Sequence, residues 1–249
     1  MMKFSVCVDA VYQGYPFEDS VRSVKRLGMD TIEFWTWWDK DLDLVKRVVE
    51  ETEMKIACFC TKFISLVDPA MRDFYLSGLA ESINVAKRLN CSKLITQVGN
   101  ERIGGSRASQ QQSLIDGLKA AAKLLEAENI TLLVEPLNTA VDHQGYFLAS
   151  SSEAFDAVSA AGSDRVKVLY DIYHQQVTEG HIISTIQENI ELIGHFHAAG
   201  NPGRHELDNG ELNFEAIFAA IRETGFEGGV GFEYFPTLDP EAGLRRWVG

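Results

Sequence analysis

The stretch ITLLVE (130–135) is the first of four short apolar runs that each end in a residue able to bind a metal ion. The other three are VKVLYD (166–171), LIGHFH (192–197) and GGVGFE (228–233). Longer segments with a helical, amphipathic pattern separate or follow them, at 151–161, 182–189 and 214–224. This alternation predicts repeated strand–helix units around a parallel sheet.

The first half of the chain repeats the alternation. Strand-like runs occupy 3–9, 31–35, 54–60 and 92–98. Helical patterns lie at 17–27, 42–53, 69–89 and 108–128, and a last helix is predicted at 240–247. The chain thus has eight predicted strands, each followed by a helix. Eight is the number of strands that closes a parallel barrel. The sequence therefore predicts an α/β fold, a TIM (β/α)8 barrel that forms a single domain over residues 1–249.

The main alternative fold is an open, doubly wound α/β sheet. Such a sheet usually carries a glycine-rich phosphate-binding turn after its first strand. Here the first strand runs into Asp9-Ala10-Val11-Tyr12, which contains no glycine. The length of 249 residues also matches a barrel, since such barrels run to about 250 residues as one unit. Both observations favour the barrel.

The bulk composition excludes some partners and indicates a compartment. A net charge of −13 argues against nucleic acid and anionic membranes as partners, although a local cationic pocket remains compatible with it. No run approaches the ~20 apolar residues that cross a bilayer, and the N-terminal sequence has no signal-peptide pattern. The four cysteines form no C-x-x-C pair. We therefore expect a cytoplasmic protein whose cysteines are buried free thiols.

Four residues at consecutive strand ends are the candidates for chemistry. They are Glu135, Asp171, His197 and Glu233. Because all carboxyl ends of the strands of a TIM barrel meet at one mouth, these side chains should converge. Three carboxylates and one imidazole suit Mn²⁺, Mg²⁺ or Co²⁺, and also Zn²⁺ in a catalytic site, whereas a structural zinc prefers cysteine and histidine. The pattern predicts a divalent metal site.

Two carboxylates on either side of a bound substrate can exchange protons with a carbon acid, while a metal ion polarises the neighbouring oxygens. That combination moves a proton between adjacent carbons of an α-hydroxy carbonyl compound. It gives aldose–ketose isomerisation, or epimerisation beside a keto group. Glu135 and Glu233 are the predicted acid/base pair as well as metal ligands.

The chain resembles the xylose-isomerase-like TIM-barrel superfamily of sugar isomerases and epimerases, and within it the hydroxypyruvate isomerase group. The resemblance covers nearly the whole chain and is carried by VEPLNT (134–139), YDIYHQQ (170–176), IGHFHAAGNPGRHE (193–206), NGELNF (209–214) and GFEYFP (231–236). It implies catalytic roles for Glu135 and Glu233 and a metal site completed by Asp171 and His197. It further implies substrate-binding roles for His174, Arg204, Asn138 and Glu211.

Other residues near the predicted mouth have two interpretations each. Trp35, with its neighbours Trp37 and Trp38, either lines the substrate pocket or packs the loop onto the barrel. Glu33 lies inside the second strand and either reaches the site or supports it by hydrogen bonds. His195 shares a face with His197 one layer deeper, and either supports the metal site or is a core histidine.

The resemblance implies an isomerase that converts hydroxypyruvate to tartronate semialdehyde, and a small keto acid or ketose as its partner. A 2-oxo-tetronate isomerase and a ketose 3-epimerase are the alternatives, because His197 stands where some hydroxypyruvate isomerases carry Gln. The segment EPLNTAV (135–141) lacks the Arg and second Glu of the epimerase motif E-x-x-N-R-x-E.

A more remote alternative is an abasic-site endonuclease, although six histidines are few for its three-zinc cluster. The aromatic-rich rim is compatible with a homo-oligomer.

Overall fold

The computed structural model describes residues 2–248, which form a closed barrel of eight parallel strands. The strands pair in sequence order, and the last pairs with the first through Lys3↔Gly229 to Val6↔Phe232. This confirms the predicted TIM barrel. The strands are β1 (Lys3–Cys7), β2 (Thr31–Phe34), β3 (Lys55–Cys60), β4 (Lys93–Thr96), β5 (Thr131–Val134), β6 (Val166–Asp171), β7 (Ile193–Ala198) and β8 (Gly229–Phe232).

Helices follow the strands and cover the outside of the barrel. Several begin at a polar side chain that accepts a backbone N–H of the first turn, as Asp41, Ser106 and Asn213 do. The helices are α1 (Val8–Val11), α2 (Phe17–Arg26), α3 (Leu42–Thr52), α4 (Arg72–Arg88), α5 (Arg107–Glu128), α6 (Ser151–Ala161), α7 (Ile172–Thr178), α8 (Ile182–Asn189), α9 (Phe214–Glu223) and α10 (Pro240–Leu244), with 3₁₀ turns at Pro69–Met71 and Ile190–Leu192.

Four predicted boundaries were wrong by two residues or more. The fourth strand, predicted at 92–98, ends at Thr96. The first strand ends at Cys7 rather than at residue 9, because the chain turns there into the short helix α1. The helix predicted at 69–89 starts as a 3₁₀ turn at Pro69 and becomes α-helical only at Arg72. The last helix ends at Leu244 instead of residue 247.

Helix α7 directly after β6 was absent from the predicted elements. Asp171 caps it, since its Oδ1 accepts the backbone N–H of His174 at 3.0 Å. The same aspartate therefore ends a strand, begins a helix and faces the mouth. The seven-residue helix carries His174 toward that mouth, and its side chain is buried.

The barrel interior is apolar on one side and polar on the other. Beneath the mouth, β3 to β6 contribute an apolar cluster that includes Cys58, Cys60 and Leu133. The strands β1, β2 and β7 instead contribute buried polar groups, among them Glu33 and His195. All four cysteines are buried and free, as predicted. Between residues 2 and 248, no helix is both long and apolar enough to cross a bilayer.

Candidate active site

The four predicted ligands lie together at the carboxyl end of the barrel. Asp171 is the last residue of β6 and pairs with His197 on β7. Glu135 and Glu233 directly follow the last residues of β5 and β8. One ligand atom from each residue lies within 4.8 Å of the others, and all four side chains are buried. The set that the sequence predicted thus converges, and a role in metal binding is the interpretation that we propose below.

His197 presents one ring nitrogen to the carboxylates and the other to the barrel interior. Its Nδ1 lies 3.6 Å from Glu135 Oε1 and 3.5 Å from Glu233 Oε2. Among residues 2–248 no group forms a hydrogen bond with this Nδ1. The opposite nitrogen, Nε2, lies 2.8 Å from Glu33 Oε2. Burial opposes a charge on the ring, but Glu233 and Glu33 raise the pKa of His197 well above its usual range.

Glu233 is held from two sides. Its Oε1 accepts a hydrogen bond from Trp35 Nε1 at 2.6 Å, and its Oε2 forms an ion pair with the Arg204 guanidinium. Arg204 Nη2 also lies 3.8 Å from Asp171 Oδ2. Although burial alone would raise the pKa of Glu233, His197 and Arg204 hold it well below its usual range. Glu233 is therefore ionised, and Trp35 belongs to the site through a direct contact.

Arg204 is positioned by its surroundings as well as by its charge. The guanidinium lies 5.6 Å from the ring centroid of Tyr173 and 5.7 Å from that of Phe235. Its backbone is left-handed, with φ 57°, and its carbonyl accepts the N–H of Phe235 at 2.8 Å. No residue in the described part of the chain accepts a hydrogen bond from Arg204 Nε. The guanidinium fork therefore retains a donor for a second anion.

His174 is held as a neutral hydrogen-bond donor. The amide of Asn138 has a fixed orientation, because its Oδ1 accepts the N–H groups of Val141 at 3.0 Å and Asp142 at 3.1 Å. Its Nδ2 therefore faces His174 Nδ1 at 2.7 Å and donates to it. Burial, followed by the charge of Arg204, lowers the pKa of His174 to about 3. A neutral ring that accepts at Nδ1 carries its proton on Nε2, which lies 3.7 Å from Asp171 Oδ2 and has no hydrogen-bond partner among residues 2–248.

Gln97 also reaches the site, although it was not among the residues predicted from the sequence. It follows β4 directly, as Glu135 follows β5, and its Nε2 donates to Glu135 Oε2 at 3.1 Å. A neutral amide cannot act as an acid or a base, so Gln97 was not chosen as a candidate for chemistry. Its place near the carboxyl end of the predicted strand 92–98 was the signal that could have found it.

Three predicted residues lie away from the four ligands. Glu211 is exposed and accepts hydrogen bonds from Gln176 Nε2 at 3.2 Å and from Asn201 Nδ2, so its predicted substrate contact stays a prediction. Trp37 donates to Ser82 Oγ on α4 at 3.2 Å. This contact favours the interpretation that Trp37 packs the loop onto the barrel. Trp38 stacks edge-on with exposed Phe63 at 5.1 Å. Of the three tryptophans, Trp35 alone contacts a predicted ligand among the described residues.

The family is decided by comparison with known proteins. The model of the xylose isomerase-like TIM barrel matches residues 21–247. The chain belongs to the xylose isomerase-like TIM-barrel family. Curated relatives of this family member include the hydroxypyruvate isomerase of Escherichia coli K12, which is 29% identical over 100% of the chain and 98% of the relative. Another is the 2-oxo-tetronate isomerase of Pectobacterium atrosepticum, which is 27% identical over 98% of the chain and 96% of the relative.

A solved structure of the same fold is that of an AP endonuclease, family 2, from Brucella melitensis. It shares 28% identity with this xylose isomerase-like chain, with a TM-score of 0.92 over 98% of the chain and 97% of the structure. The full-length curated relatives are isomerases. This member of the xylose isomerase-like family is accordingly an isomerase.

Proposed function

We propose that the chain is a metal-dependent isomerase that converts hydroxypyruvate to tartronate semialdehyde. The observation that carries the proposal is the convergence of three buried carboxylates and one imidazole nitrogen within 4.8 Å at the barrel mouth. Relatives named hydroxypyruvate isomerase and 2-oxo-tetronate isomerase, which align over nearly the whole chain, support a small hydroxy-keto acid as the substrate.

A divalent cation fits these residues. His197 Nδ1 faces Glu135 and Glu233 without a hydrogen-bond partner in residues 2–248, as an imidazole ligand would. Arg204 forms ion pairs with Glu233 and Asp171 but none with Glu135 in the described chain, so a cation would supply the positive charge that Glu135 lacks. Mn²⁺, Mg²⁺ and Co²⁺ suit this donor set, and Zn²⁺ is also compatible. When bound, the ion supplies Lewis-acid polarisation of the substrate oxygens.

The reaction needs a proton to leave one carbon and another to arrive at its neighbour. In hydroxypyruvate, Glu135 takes a proton from the C3 hydroxymethyl carbon, and the C–H electron pair forms the C2–C3 double bond of an enediolate. The former keto oxygen receives the π electrons. A proton is then delivered to C2, the C3 oxygen loses its proton to become an aldehyde, and the C2 oxygen gains one. Glu233, whose Oε2 lies 3.5 Å from the same His197 Nδ1 that faces Glu135, completes the acid/base pair.

The surrounding donors fit a small anionic substrate. Arg204 offers its guanidinium to the substrate carboxylate. Its Nε forms no hydrogen bond with any residue in the described chain, so it remains available as a donor. His174 offers Nε2–H to a hydroxyl or keto oxygen, and Asn138 fixes that tautomer. Trp35 closes one side of the mouth through its hydrogen bond to Glu233.

The test of this function is a substrate panel assayed with Mn²⁺ present. We expect turnover of hydroxypyruvate, with weaker turnover of 2-oxo-tetronate and little of free ketoses. Turnover of ketoses alone would assign the chain to the epimerases instead. An abasic DNA duplex belongs in the panel because the similar Brucella melitensis protein is named an AP endonuclease. Nicking of that duplex at physiological salt would replace our proposal, although a net charge of −13 opposes DNA binding.

Arg204→Lys tests the carboxylate contact. A lysine keeps the positive charge but loses the two parallel donors of the guanidinium. We expect kcat/KM for hydroxypyruvate to fall about 10- to 100-fold, since one charge-assisted hydrogen bond is worth about 1.5–3 kcal/mol. Steady-state kinetics on hydroxypyruvate measure the loss. A neutral ketose that turns over detectably should lose less, and an equal loss on both would place Arg204 outside carboxylate recognition.

A further inference from the structure

A buried hydrogen-bonded cluster lies inside the barrel, one layer below the four ligands. Glu33 on β2 is its centre and is 1% exposed. Its Oε2 lies 2.8 Å from His197 Nε2 and 3.3 Å from Cys58 Sγ. Its Oε1 lies 2.7 Å from His195 Nε2 and accepts the Ser5 hydroxyl. Four side chains from three other strands therefore converge on one carboxylate.

Glu33 must reach from β2 past two strands to contact β7, and the sequence of β8 permits this. Gly231 pairs with Ser5 on β1 and with His197 on β7, so it lies between them. A Cβ atom at position 231 would clash with the carboxylate of Glu33. The glycine thus provides the space through which Glu33 extends beneath the mouth.

The cluster could itself be read as a metal site, because Glu33, Cys58, His195 and His197 each offer a ligand atom. The distances favour hydrogen bonding instead. Both carboxylate oxygens lie within 2.8 Å of an imidazole nitrogen, which is the separation of a direct N–H···O bond rather than of two ligands around an ion. The cluster is therefore a support for the mouth.

We propose that Glu33 is the positioning residue that makes His197 a metal ligand through Nδ1. The inference rests on the proposed metal-dependent function and adds the residue that orients the imidazole. A carboxylate that accepts Nε2–H fixes the orientation of the ring, so that Nδ1 is the nitrogen that gives up its proton when the cation binds. Nδ1 is the nitrogen that faces Glu135 and Glu233.

Ser5, Cys58 and His195 hold Glu33 in turn. Each donates to the carboxylate, so neither oxygen is free to rotate away from His197. This resolves the two interpretations of Glu33 in favour of support. His195 takes part as a donor to Glu33 rather than as a ligand.

The first test is Glu33→Gln, with Mn²⁺ binding measured by loss of the free-ion EPR signal. We expect Mn²⁺ affinity to fall about 10- to 100-fold, the usual effect of removing an outer-shell partner of a ligand. Glu206→Gln is the matched control. Glu206 is also buried, accepts the N–H of Thr237 at 2.8 Å, and contacts none of the four ligands. Its substitution should leave Mn²⁺ affinity within a few-fold of wild type.

Equal Mn²⁺ affinity in Glu33→Gln and wild type would overturn the inference. Equal losses in both variants would also overturn it, because the effect would then report general destabilisation. If the wild-type protein itself binds no Mn²⁺, the proposed function fails instead, so the two failures are distinguishable.

The second test uses the wild-type protein and does not depend on a variant that folds. Zn²⁺ is diamagnetic and binds imidazole, so ¹⁵N NMR of the histidine-labelled, Zn²⁺-loaded protein reads the state of each ring nitrogen. We expect His197 to carry its proton on Nε2 and the metal on Nδ1. Metal on Nε2, with the proton on Nδ1, would contradict the orienting role of Glu33.

Discussion

Replacing Glu135 with Gln is expected to abolish exchange of the substrate C–H proton with solvent. The amide keeps the size of the side chain but cannot take a proton from carbon. General base catalysis contributes typically about 10²- to 10⁴-fold, so kcat for hydroxypyruvate should fall by that factor. The measurement is ¹H NMR in D₂O, which follows the loss of the C3 protons and the entry of deuterium at C2 of the product.

The control for this experiment is Glu128→Gln at the far end of α5. Glu128 is exposed and pairs with Lys87, so its substitution should leave the exchange rate unchanged. Thermal unfolding of Glu135→Gln should show that the variant is folded. Exchange at the wild-type rate in folded Glu135→Gln would remove Glu135 from the acid/base pair.

Asp171→Asn is expected to have a comparably large effect, through metal binding rather than proton transfer. The substitution removes one unit of negative charge from the ligand set, and we expect Mn²⁺ affinity to fall by at least about 100-fold. The fold should survive, because the Asn oxygen can still accept the N–H of His174 that Asp171 accepts at 3.0 Å. Isothermal titration of Mn²⁺ into the wild-type and variant proteins measures the change.

Stability of the metal-free protein provides the control for Asp171→Asn. Burial raises the pKa of Asp171, and Glu233 raises it further, although Arg204 opposes both. The ionised carboxylate is thus disfavoured in the fold, and a neutral amide should leave the metal-free protein at least as stable. Unchanged Mn²⁺ affinity in the variant would show that Asp171 serves only to cap α7.

The barrel and its four mouth residues could be predicted because local patterns determine both. Each strand is a short apolar run, and parallel closure places all carboxyl ends at one mouth, so Glu135 and His197 needed no knowledge of packing to be placed together. The start of α7 was not predicted, because Asp171 had already been assigned to the strand before it. It caps that helix at the same time.

The supporting residues could not be predicted in the same way, because their partners are far away in sequence. Glu33 and His197 are separated by 164 positions, and their contact depends on the absence of a side chain at Gly231. Gln97 carries no charge, and the predicted strand ran past it to residue 98, so it did not stand out as a residue at a strand end. For Trp37, the choice between pocket wall and packing depended on the position of Ser82, which only the fold provides.

The central claim is that one cation at the four mouth residues enables proton transfer on a keto acid. The direct measurement is a titration of Mn²⁺ into EDTA-treated protein, with bound ion followed by EPR and deuterium entry into hydroxypyruvate followed by NMR in the same samples. We predict that both signals rise together and saturate at one ion per chain. Full deuterium entry before any Mn²⁺ is added, or saturation of binding without exchange, would contradict the account.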